Sequence, residues 1–537
     1  MAMTSQQRKG GFWREGEPFI WLSGAALAAV LLMVTLLVMV VTANGVAVFW
    51  PARQTLFELR QGPAVMGVVQ RESRDPKTGS RRLQVKIANR DLYGLDFRWL
   101  DTRDIRASSQ PADAVVLERR EYGNVHGFLR ALDLGAGARP ATWEEFQAAL
   151  RQARLDRRPM DRVQQELNSL GGRLESLRLR SAKMRYRGVR DDNPAAAKIR
   201  ARQAELKAEF ALRVGAFDRL AAELRRRTVV VADAGGREIR TPLVDVVRAS
   251  RPNAMGGAAK AWFYAGKLWE LLFGEPRESN TEGGLFPAIV GTVMMVFLMS
   301  IFSFPLGVVT GVYLREYARD GWLVRTVRIA VNNLAGVPSI VYGIFGLGFF
   351  VYGVGGALDR LFFPERLPTP TLGTGGILWA SLTLALLTVP VVIVATEEAL
   401  GAIPKGVREG SLALGATKLQ TLARVLLPMA SPGIMTGFIL AMARAAGEVA
   451  PLMITGVVKL APALPLDGQY PFIHLERKFM HLGFHIYDIG FQSPNVEAAK
   501  PMVFVTTLLL VLIVLVMSAA AIRLRNTMKR RYTLGSF

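Results

Sequence analysis

The sequence predicts an all-α polytopic membrane protein with six transmembrane helices and a large α+β insertion outside the membrane. The chain of 537 residues is 50% hydrophobic and yet 21% charged, a combination that fits if the two properties belong to different segments. Apolar stretches of about 20 residues or more, long enough to cross a bilayer, occur six times. They are residues 19–49, 285–314, 334–358, 371–396, 428–458 and 501–522.

The first apolar stretch is predicted to be a retained anchor helix. Residues 19–49 contain no charged side chain, whereas the apolar core of a cleaved signal peptide is about 7–15 residues long. We therefore expect a short tail at 1–18, followed by an anchor that stays in the membrane.

The distribution of Lys and Arg predicts the orientation, because cytoplasmic loops near membrane helices carry an excess of both. Basic residues cluster in the N-terminal tail, after the second and fourth spans and in the C-terminal tail 526–537: Arg8, Lys9, Arg14, Arg315, Arg319, Arg325, Arg328, Lys405, Arg408, Lys418, Arg424, Lys529, Arg530 and Arg531. We expect a multi-pass membrane protein with both termini cytoplasmic and residues 50–284 outside.

The insertion 50–284 is basic, with 44 Lys and Arg against 30 Asp and Glu, but long domains cross the membrane largely regardless of charge. The formal net charge of +23 is explained by this domain and by the cytoplasmic loops. We expect no nucleic-acid partner, because no recognition module accompanies the charge.

The insertion is predicted to have three parts. Residues 63–131 contain short strand-like segments separated by Gly, Asp and Pro, which indicates a β-rich region. Two stripes of apolar residues at heptad spacing flank a turn within 142–227, which is typical of an antiparallel coiled-coil hairpin. Residues 228–244 predict a β-hairpin. We interpret the whole insertion as a binding or docking domain, since it contains no recognisable catalytic set.

Several kinds of chemistry are not expected. The chain has no cysteine, so disulfides and thiolate metal sites are excluded, and it lacks the G-x-x-x-x-G-K-[ST] loop that holds ATP phosphates. His474, His481 and His485 could share one helical face and bind zinc, but an ordinary amphipathic helix is the favoured interpretation. We expect no enzyme activity, no cofactor and no metal.

The segment 397–428 between the fourth and fifth spans predicts a helix–glycine–helix element. Lys405–Leu414 should form a short helix that ends at Gly415, and Thr417 should cap a second helix that stops at Pro428. A rigid element outside the membrane, joined to two spans, suits the transmission of force from a docked protein to the membrane helices.

The fifth span contains two charged residues, Arg444 and Glu448. A charge at this depth is costly and must face a partner or water. One interpretation is an i,i+4 ion pair that only permits burial of the arginine. The other is an anion-translocation site, because the guanidinium fork donates parallel hydrogen bonds to an oxyanion.

Five segments carry a resemblance to a known family: NTEGGLFPAIVGT at 280–292, GVYLREYARDGWL at 311–323, GVPSIVYGIFG at 336–346, EGSLALGATK at 409–418 and PGIMTGFILAMARAAGEVAPLM at 432–453. They are similar to the PstA-type phosphate-transport permeases of bacterial type I ABC importers. The resemblance covers the first anchor and about 280–525, and the G-E-x-A-P-L form at 447–452 favours this type over its partner permease.

The resemblance implies a type I permease core at 285–525 with coupling loop 397–428. It implies a heterodimer with a second permease, a cytoplasmic ATPase dimer that hydrolyses the ATP, a periplasmic phosphate-binding protein, and inorganic phosphate as the ion moved inward. Arg444 and Glu448 inherit the proposed translocation role. The residues that inherit ATPase coupling are Glu409, Gly410, Ser411, Gly415 and Ala416.

Two departures from the family pattern bear on these roles. Gly410 and Ser411 replace the two alanines of the coupling motif, and Val449 replaces the usual threonine, which removes a hydroxyl beside the charged pair. The pore sequence leaves the oxyanion open, so sulfate or molybdate remains an alternative. A membrane-anchored sensor or scaffold that acts through 50–284 is the alternative from a different class.

Overall fold

The computed structural model describes residues 17–533 apart from 77, 78, 136, 191, 469, 471, 494 and 495. Within this part of the chain, six helices are long and apolar enough to cross a membrane, which confirms the predicted polytopic helical class. They are Pro18–Ala47, Phe286–Tyr317, Ser339–Phe362, Ile377–Gly401, Lys418–Gly447 and Val496–Arg530. Residues 1–16 and 534–537 of the two predicted tails, with Arg8, Lys9 and Arg14, lie outside the described residues.

The first membrane helix, α1 (Glu17–Ala47), stands apart from the others. None of its most apolar stretch is buried. Its last turn packs on the sixth span, where a Cβ added to Gly45 would lie 3.2 Å from Leu508 Cδ2. The described elements of this chain therefore leave most of this helix uncovered.

Among its described residues, the inserted domain, 48–285, contains four α-helices and thirteen strands. The helices are α2 (Arg90–Tyr93), α3 (Trp143–Tyr186), α4 (Pro194–Arg225) and α5 (Gly257–Phe273). The strands are β1 (Thr55–Leu59), β2 (Val65–Arg74), β3 (Arg81–Lys86), β4 (Phe97–Asp101), β5 (Ile105–Ser109), β6 (Ala114–Arg119), β7 (Asn124–Asp133), β8 (Ala138–Pro140), β9 (Thr228–Ala232), β10 (Glu238–Pro242), β11 (Val246–Ser250), β12 (Pro276–Arg277) and β13 (Glu282–Gly283).

The strands form two main antiparallel sheets. The first has the order β4-β3-β2-β1-β5, and the second has the order β10-β9-β7-β6-β11 with β8 paired to β7. Side chains of β6, β7 and β9 pack against the first two turns of α3 through Leu117, Leu132, Phe146, Leu150 and Val231, each at most 1% exposed. Burial of these large side chains gives the inserted domain its own hydrophobic core.

Helices α3 and α4 form a hairpin that leaves the second sheet. Thr142 and Glu145 make a reciprocal capping box at the start of α3, and Arg213 pairs with Glu166 across the hairpin at 3.1 Å. The apolar stripe is buried near the sheet but only half-buried farther out, at Leu174 and Leu177. Supercoiling of the two helices stays a prediction. On its outer part, α3 contacts the turn at Pro364–Arg366 between two membrane helices.

The membrane region begins at residue 286. Its helices are α6 (Phe286–Val312), α7 (Trp322–Leu334), α8 (Ser339–Phe345), α9 (Gly356–Phe362), α10 (Ile377–Gly401), α11 (Lys405–Ala413), α12 (Lys418–Thr421), α13 (Leu427–Gly447), α14 (Ala450–Thr455), α15 (Leu482–Tyr487) and α16 (Val496–Thr533). π-Helical turns at Tyr313–Tyr317, Gly346–Gly355, Leu422–Leu426 and Asp488–Gln492 extend or join several of them.

Helix α10 is the centre of the membrane region, with 67% of its most apolar stretch buried. Two small-xxx-small faces pack against it. Gly307 and Gly311 of α6 face Val392 and Thr396, and Gly433 and Gly437 of α13 face Ala399 and Ala395; a Cβ added at any of these glycines would lie 2.1–2.7 Å from its neighbour. Only glycine permits this approach, so α13 is held at a fixed distance from the centre.

The segment 459–495 differs from the predicted amphipathic helix. His474 lies in a loop, where its Nε2 is 3.0 Å from Asp467 Oδ1, and among the described residues of this segment only 482–492 are helical. The three histidines therefore do not share a helical face. Loop contacts, including the bond from Asn280 Nδ2 to the Lys459 carbonyl oxygen, override the local spacing.

Candidate translocation and coupling site

The fifth span is interrupted at the predicted charged pair. Helix α13 ends at Gly447, Glu448 is extended (φ −75°, ψ 133°), and the chain resumes as the short helix α14. Arg444 lies 16 residues beyond Pro428, or about 24 Å along the helix, a distance shorter than the thickness of a hydrocarbon layer, about 30 Å. Irregular backbone at this depth is tolerated only where protein or a water-filled cavity covers it.

Arg444 and Glu448 form a loose ion pair. Arg444 Nε lies 3.5 Å from Glu448 Oε1, and the two side chains are 36% and 20% exposed. Within the part of the chain that the structure describes, Arg444 makes no other hydrogen bond or ion pair. Its remaining N–H groups can therefore receive another acceptor, and an oxyanion would match the guanidinium fork.

Burial of neighbouring alanines fixes the helix segment that carries Arg444 and Glu448. Ala445 and Ala446, which lie between Arg444 and Glu448 in the sequence, are at most 1% exposed. They belong to a buried cluster with Met295, Met299 and Leu452. Arg444 also sits in the last turn of α13, where the helix dipole favours a cation. The backbone around the charged pair is thus fixed by packing, while the charged ends stay accessible.

The segment predicted to couple to an ATPase, residues 405–428 (the coupling element), contains standard helix ends. Gly415 adopts φ +85° after α11, and the bonds from Ala416 N–H to the Ser411 oxygen and from Gly415 N–H to the Leu412 oxygen make a Schellman motif. Thr417 and Gln420 form a reciprocal capping box at the start of α12. Ser411 Oγ lies 2.9 Å from Thr421 Oγ1, which links the two helices.

The predicted end of the second helix at Pro428 is wrong. The helix continues from Lys418 to Gly447 as one span. Proline lacks the N–H for an ordinary helical bond, but the preceding turn, Leu422–Leu426, is π-helical, and Leu427 N–H bonds the Leu422 oxygen. This shift in hydrogen-bond register accommodates the proline, so the coupling element runs directly into the helix that carries Arg444.

Two ion pairs that the sequence analysis missed tie the coupling region to neighbouring spans. Arg408 Nη2 lies 2.9 Å from Glu316 Oε1, and Arg408 also donates to the carbonyl oxygens of Leu400 and Ile403. Arg328 lies 3.1 Å from Glu397. The signal available in the sequence was the acidic Glu316 within a basic loop; its partner is 92 residues away.

The outer surface of the coupling element is apolar as well as charged. Glu409 and Gly410 are exposed, and Leu412, Leu414 and Leu419 are 49%, 91% and 66% exposed. Exposed leucines around a turn outside the membrane are typical of a contact surface for another protein. Glu409, Gly410, Ser411, Gly415 and Ala416 lie together in this one element.

No cluster of three metal-ligating side chains occurs among the described residues. His481 instead accepts hydrogen bonds from the N–H groups of Gly483 and Phe484 through Nδ1. His485 lies with Nε2 3.1 Å from the Asn280 oxygen. Burial lowers the pKa of His481 to about 3 and that of His485 to about 4, so both are neutral side chains that join loops to the membrane region.

The membrane region is similar to that of known transport proteins. Residues 303–530 match the family model of the binding-protein-dependent transport system inner membrane component. The probable phosphate transport system permease protein PstA of Methanocaldococcus jannaschii is 34% identical over 221 residues, which are 40% of this chain and 67% of that protein. PstA of Yersinia pestis is 34% identical over 41% of this chain and 66% of that protein.

The probable ABC transporter permease protein YqgI of Bacillus subtilis is 32% identical, over 40% of this chain and 70% of that protein. Among solved structures, an inward-facing MetNI methionine ABC transporter chain is 22% identical and covers 49% of this chain and 98% of that chain, with a TM-score of 0.34. The matched segments span about two-thirds of the PstA relatives, and the family model does not include the inserted domain. The chain belongs to the PstA-type permeases of binding-protein-dependent ABC transport systems.

Proposed function

We propose that this chain is the permease through which an ATP-driven importer moves inorganic phosphate into the cell. The observation that carries the proposal is the interruption of the fifth span at Arg444 and Glu448. A half-exposed arginine at membrane depth is expensive unless it meets a counter-charge or water, and its one contact with Glu448 is loose. Arg444 receives the phosphate, and Glu448 partners Arg444 when phosphate is absent.

A second permease completes the site. Arg444 remains 36% exposed in this chain alone, so another protein surface must cover it within the membrane. A heterodimer with the partner permease, fed by a periplasmic phosphate-binding protein, satisfies this need. The names of the relatives from Yersinia pestis and Methanocaldococcus jannaschii support phosphate over sulfate or molybdate.

The surface around Glu409, Gly410, Ser411, Gly415 and Ala416 is the dock for a cytoplasmic ATPase dimer. Its exposed leucines supply the apolar contact. Because the helix is continuous from Lys418 to Gly447, displacement of the dock moves Arg444, roughly 40 Å away. ATP hydrolysis in the partner would thus open and close the site alternately to the two sides of the membrane.

The proposed orientation follows from the same arrangement. The dock lies beside the cationic loops after the second and fourth spans, so it faces the cytoplasm. The inserted domain contacts the outer loops at Lys459 and Pro364–Arg366, so it lies on the opposite, periplasmic side. An even number of spans then leaves both termini in the cytoplasm.

The test is phosphate uptake at micromolar external phosphate, in cells that lack their own PstA-type permease and carry this chain, Arg444→Ala or Arg360→Ala. Arg360 is an exposed arginine of α9 and serves as the matched control. We expect the parent and Arg360→Ala to restore uptake. Arg444→Ala should lower uptake at least roughly tenfold, the effect of one hydrogen bond to a charged group, while reaching the membrane normally.

Uptake of sulfate or molybdate instead of phosphate by the parent would redirect the assignment to another oxyanion. No uptake of any oxyanion despite normal assembly with the partner permease and ATPase would favour the sensor or scaffold. Full uptake by Arg444→Ala would remove Arg444 from the mechanism.

A further inference from the structure

A cavity of about 860 Å³ lies where the inserted domain meets the membrane helices. Its walls come from both sheets of the inserted domain and from α5. Phe49 and Trp50, just after the end of α1, and Ala498 and Met502, in the first turns of α16, form the membrane-facing part of its lining. Since α1 and α16 both end here, the cavity lies at the level of the lipid head groups, where tryptophan is enriched.

Three buried polar atoms that belong to lining residues have no hydrogen-bond partner in the described part of the chain: Gln54 Oε1, Asn124 Oδ1 and His126 Nδ1. The Gln54 and His126 residues are only 3% and 4% exposed. In the second sheet, Val116 pairs with His126 and Glu118 pairs with Asn124. The side chains of Asn124 and His126 therefore lie on one face of that sheet. Unsatisfied polar atoms on residues that line one cavity are typical of a ligand site.

The charged groups of the lining fall into two classes. Most are paired within the protein: Lys267 with Glu118 at 2.6 Å, Arg90 with Glu278 at 3.6 Å and Asp91 with Arg119 at 2.8 Å. Lys86 and Glu282, of opposite sign, form no ion pair with any described residue. Both are only partly exposed, and each is held by a strand, β3 and β13, whose backbone fixes its position.

The two unpaired groups lie near one another. Burial raises the pKa of Glu282, and the Lys86 ammonium opposes that rise. They nevertheless do not meet within 4 Å. A cation and an anion that line the same cavity without pairing can both be met by a single ligand that carries both charges.

We propose that this cavity binds the head group of a phospholipid that carries both a phosphate and a primary ammonium group. The phosphate lies toward Lys86 and the ammonium toward Glu282. Gln54, Asn124 and His126 supply hydrogen bonds to the remaining polar atoms of the head group. The acyl chains continue along the exposed sides of α1 and α16, which carry apolar side chains to the same level.

The charge balance of the lining selects this class of lipid. The carboxylates Asp91, Asp96, Glu118, Glu270, Glu278 and Glu282 are balanced by the lining cations Lys86, Arg90 and Lys267 and by Arg119, Arg248 and Arg277, which pair with Asp91 and Glu270 from behind the lining. A purely anionic lipid would add a negative charge and leave Glu282 without a partner. A choline head group has no N–H to donate. Phosphoethanolamine, free or in a lipid, has the required chemistry, and the position of the cavity at the membrane surface favours the lipid.

The test uses the full-length chain, purified with its partner permease and ATPase, and native mass spectrometry of retained lipid. Phosphatidylethanolamine, phosphatidylcholine and phosphatidylglycerol are compared, with soluble glycerophosphoethanolamine as a fourth probe. We expect one phosphatidylethanolamine per chain, held at least roughly tenfold more tightly than phosphatidylcholine and phosphatidylglycerol, because a hydrogen bond to a charged group is lost with each. Glycerophosphoethanolamine should also bind at least roughly tenfold more weakly, because it lacks the acyl chains. The comparison of head groups uses the unsubstituted chain, so misfolding of a variant cannot affect its result.

Lys86→Ala and Glu282→Gln should each weaken retention of phosphatidylethanolamine roughly tenfold. The matched controls are Arg106→Ala and Glu238→Gln, which change exposed residues of the same domain that are not part of the cavity, and they should retain the lipid as the parent does. Equal retention of all three lipids, or indifference to Lys86→Ala and Glu282→Gln, would overturn the proposal. Binding of glycerophosphoethanolamine as tight as that of the lipid would overturn the lipid as the source.

Discussion

The membrane region and the inserted domain use charge in opposite ways. In the membrane spans, Arg444 and Glu448 lie at an interruption of a helix, and the backbone around them is held by closely packed glycines and alanines. In the inserted domain, charges are abundant, and the pairs Arg178–Glu175 and Arg202–Glu205 are more than half exposed. A charge is costly in hydrocarbon and cheap in water, so its position carries functional information mainly in the membrane region.

The largest difference between the two regions should appear when similar ion pairs are broken. Glu316→Ala leaves Arg408 without its carboxylate beside the coupling element, and Asp91→Ala does the same to Arg119 in the inserted domain. We expect phosphate uptake to fall at least roughly tenfold for Glu316→Ala, because a bond to a charged group is lost, and to change less than about twofold for Asp91→Ala.

Uptake and ATP hydrolysis, both measured at equal amounts of assembled complex, check this prediction. Retained hydrolysis with lost uptake is expected for Glu316→Ala, since the surface proposed to dock the ATPase is unchanged. Equal loss of uptake in both variants would mean that the inserted domain takes part in transport as directly as the coupling element does.

A second contrast lies within the inserted domain. Leu150 is 1% exposed between α3 and the second sheet, whereas Leu177 is half-buried on the outer hairpin. Leu150→Ala should cost about 2–5 kcal/mol of stability in that domain, and Leu177→Ala about 1 kcal/mol or less. Hydrogen exchange of the full-length chain should show faster exchange of β6 and β7 in the first variant, with α10 unchanged. Similar effects of both substitutions would show that the hairpin has a core of its own.

The smallest expected effect is the dependence of stability on pH. Burial lowers the pKa of His481 to about 3 and that of His485 to about 4, whereas an unfolded histidine titrates near 6.5. The unfolded chain therefore binds protons first, and stability falls as the pH drops from about 6.5 toward 4. Each histidine should cost about 1.4 kcal/mol at pH 5.5.

Thermal unfolding of the complex at pH 7.5 and 5.5 measures this dependence. His481→Asn keeps an acceptor at the start of α15, where asparagine is a good cap, and removes one titrating group. The variant should lose about half of the pH dependence that the two histidines cause. An unchanged dependence would place the acid-sensitive groups elsewhere, for example at His126 of the inserted domain, whose pKa burial lowers to about 3.

The sequence was most informative where the signal is local. The six spans, the positive φ of Gly415 and the cap at Thr417 depend on neighbouring residues, and all appear in the structure. Pro428 was misinterpreted because proline normally ends a helix, and the π-helical turn that accommodates it has no clear sequence signal. The histidine segment was misinterpreted because its loop is shaped by contacts with Asn280, far away in the chain.

Long-range pairing accounts for what the sequence could not predict. Arg408 and Glu316 meet across two spans, and the second sheet of the inserted domain joins strands from both sides of the hairpin, such as β7 and β9. Arg444 and Glu448 could be singled out because charge in an apolar stretch is rare. Their loose geometry, and the end of α13 at Gly447, depend on packing against α10 and could not be read from spacing.

The isolation of α1 has a consequence for biosynthesis. During translation this helix is the first to enter the bilayer, and it needs no other part of the chain to cover it. In the proposed orientation, residues 48–285 must then cross the membrane before α6 is available, which takes roughly 10–50 s at about 5–20 residues per second. A helix that rests on lipid alone can hold the nascent chain in place for that interval, and it docks on α16 only when synthesis is nearly complete.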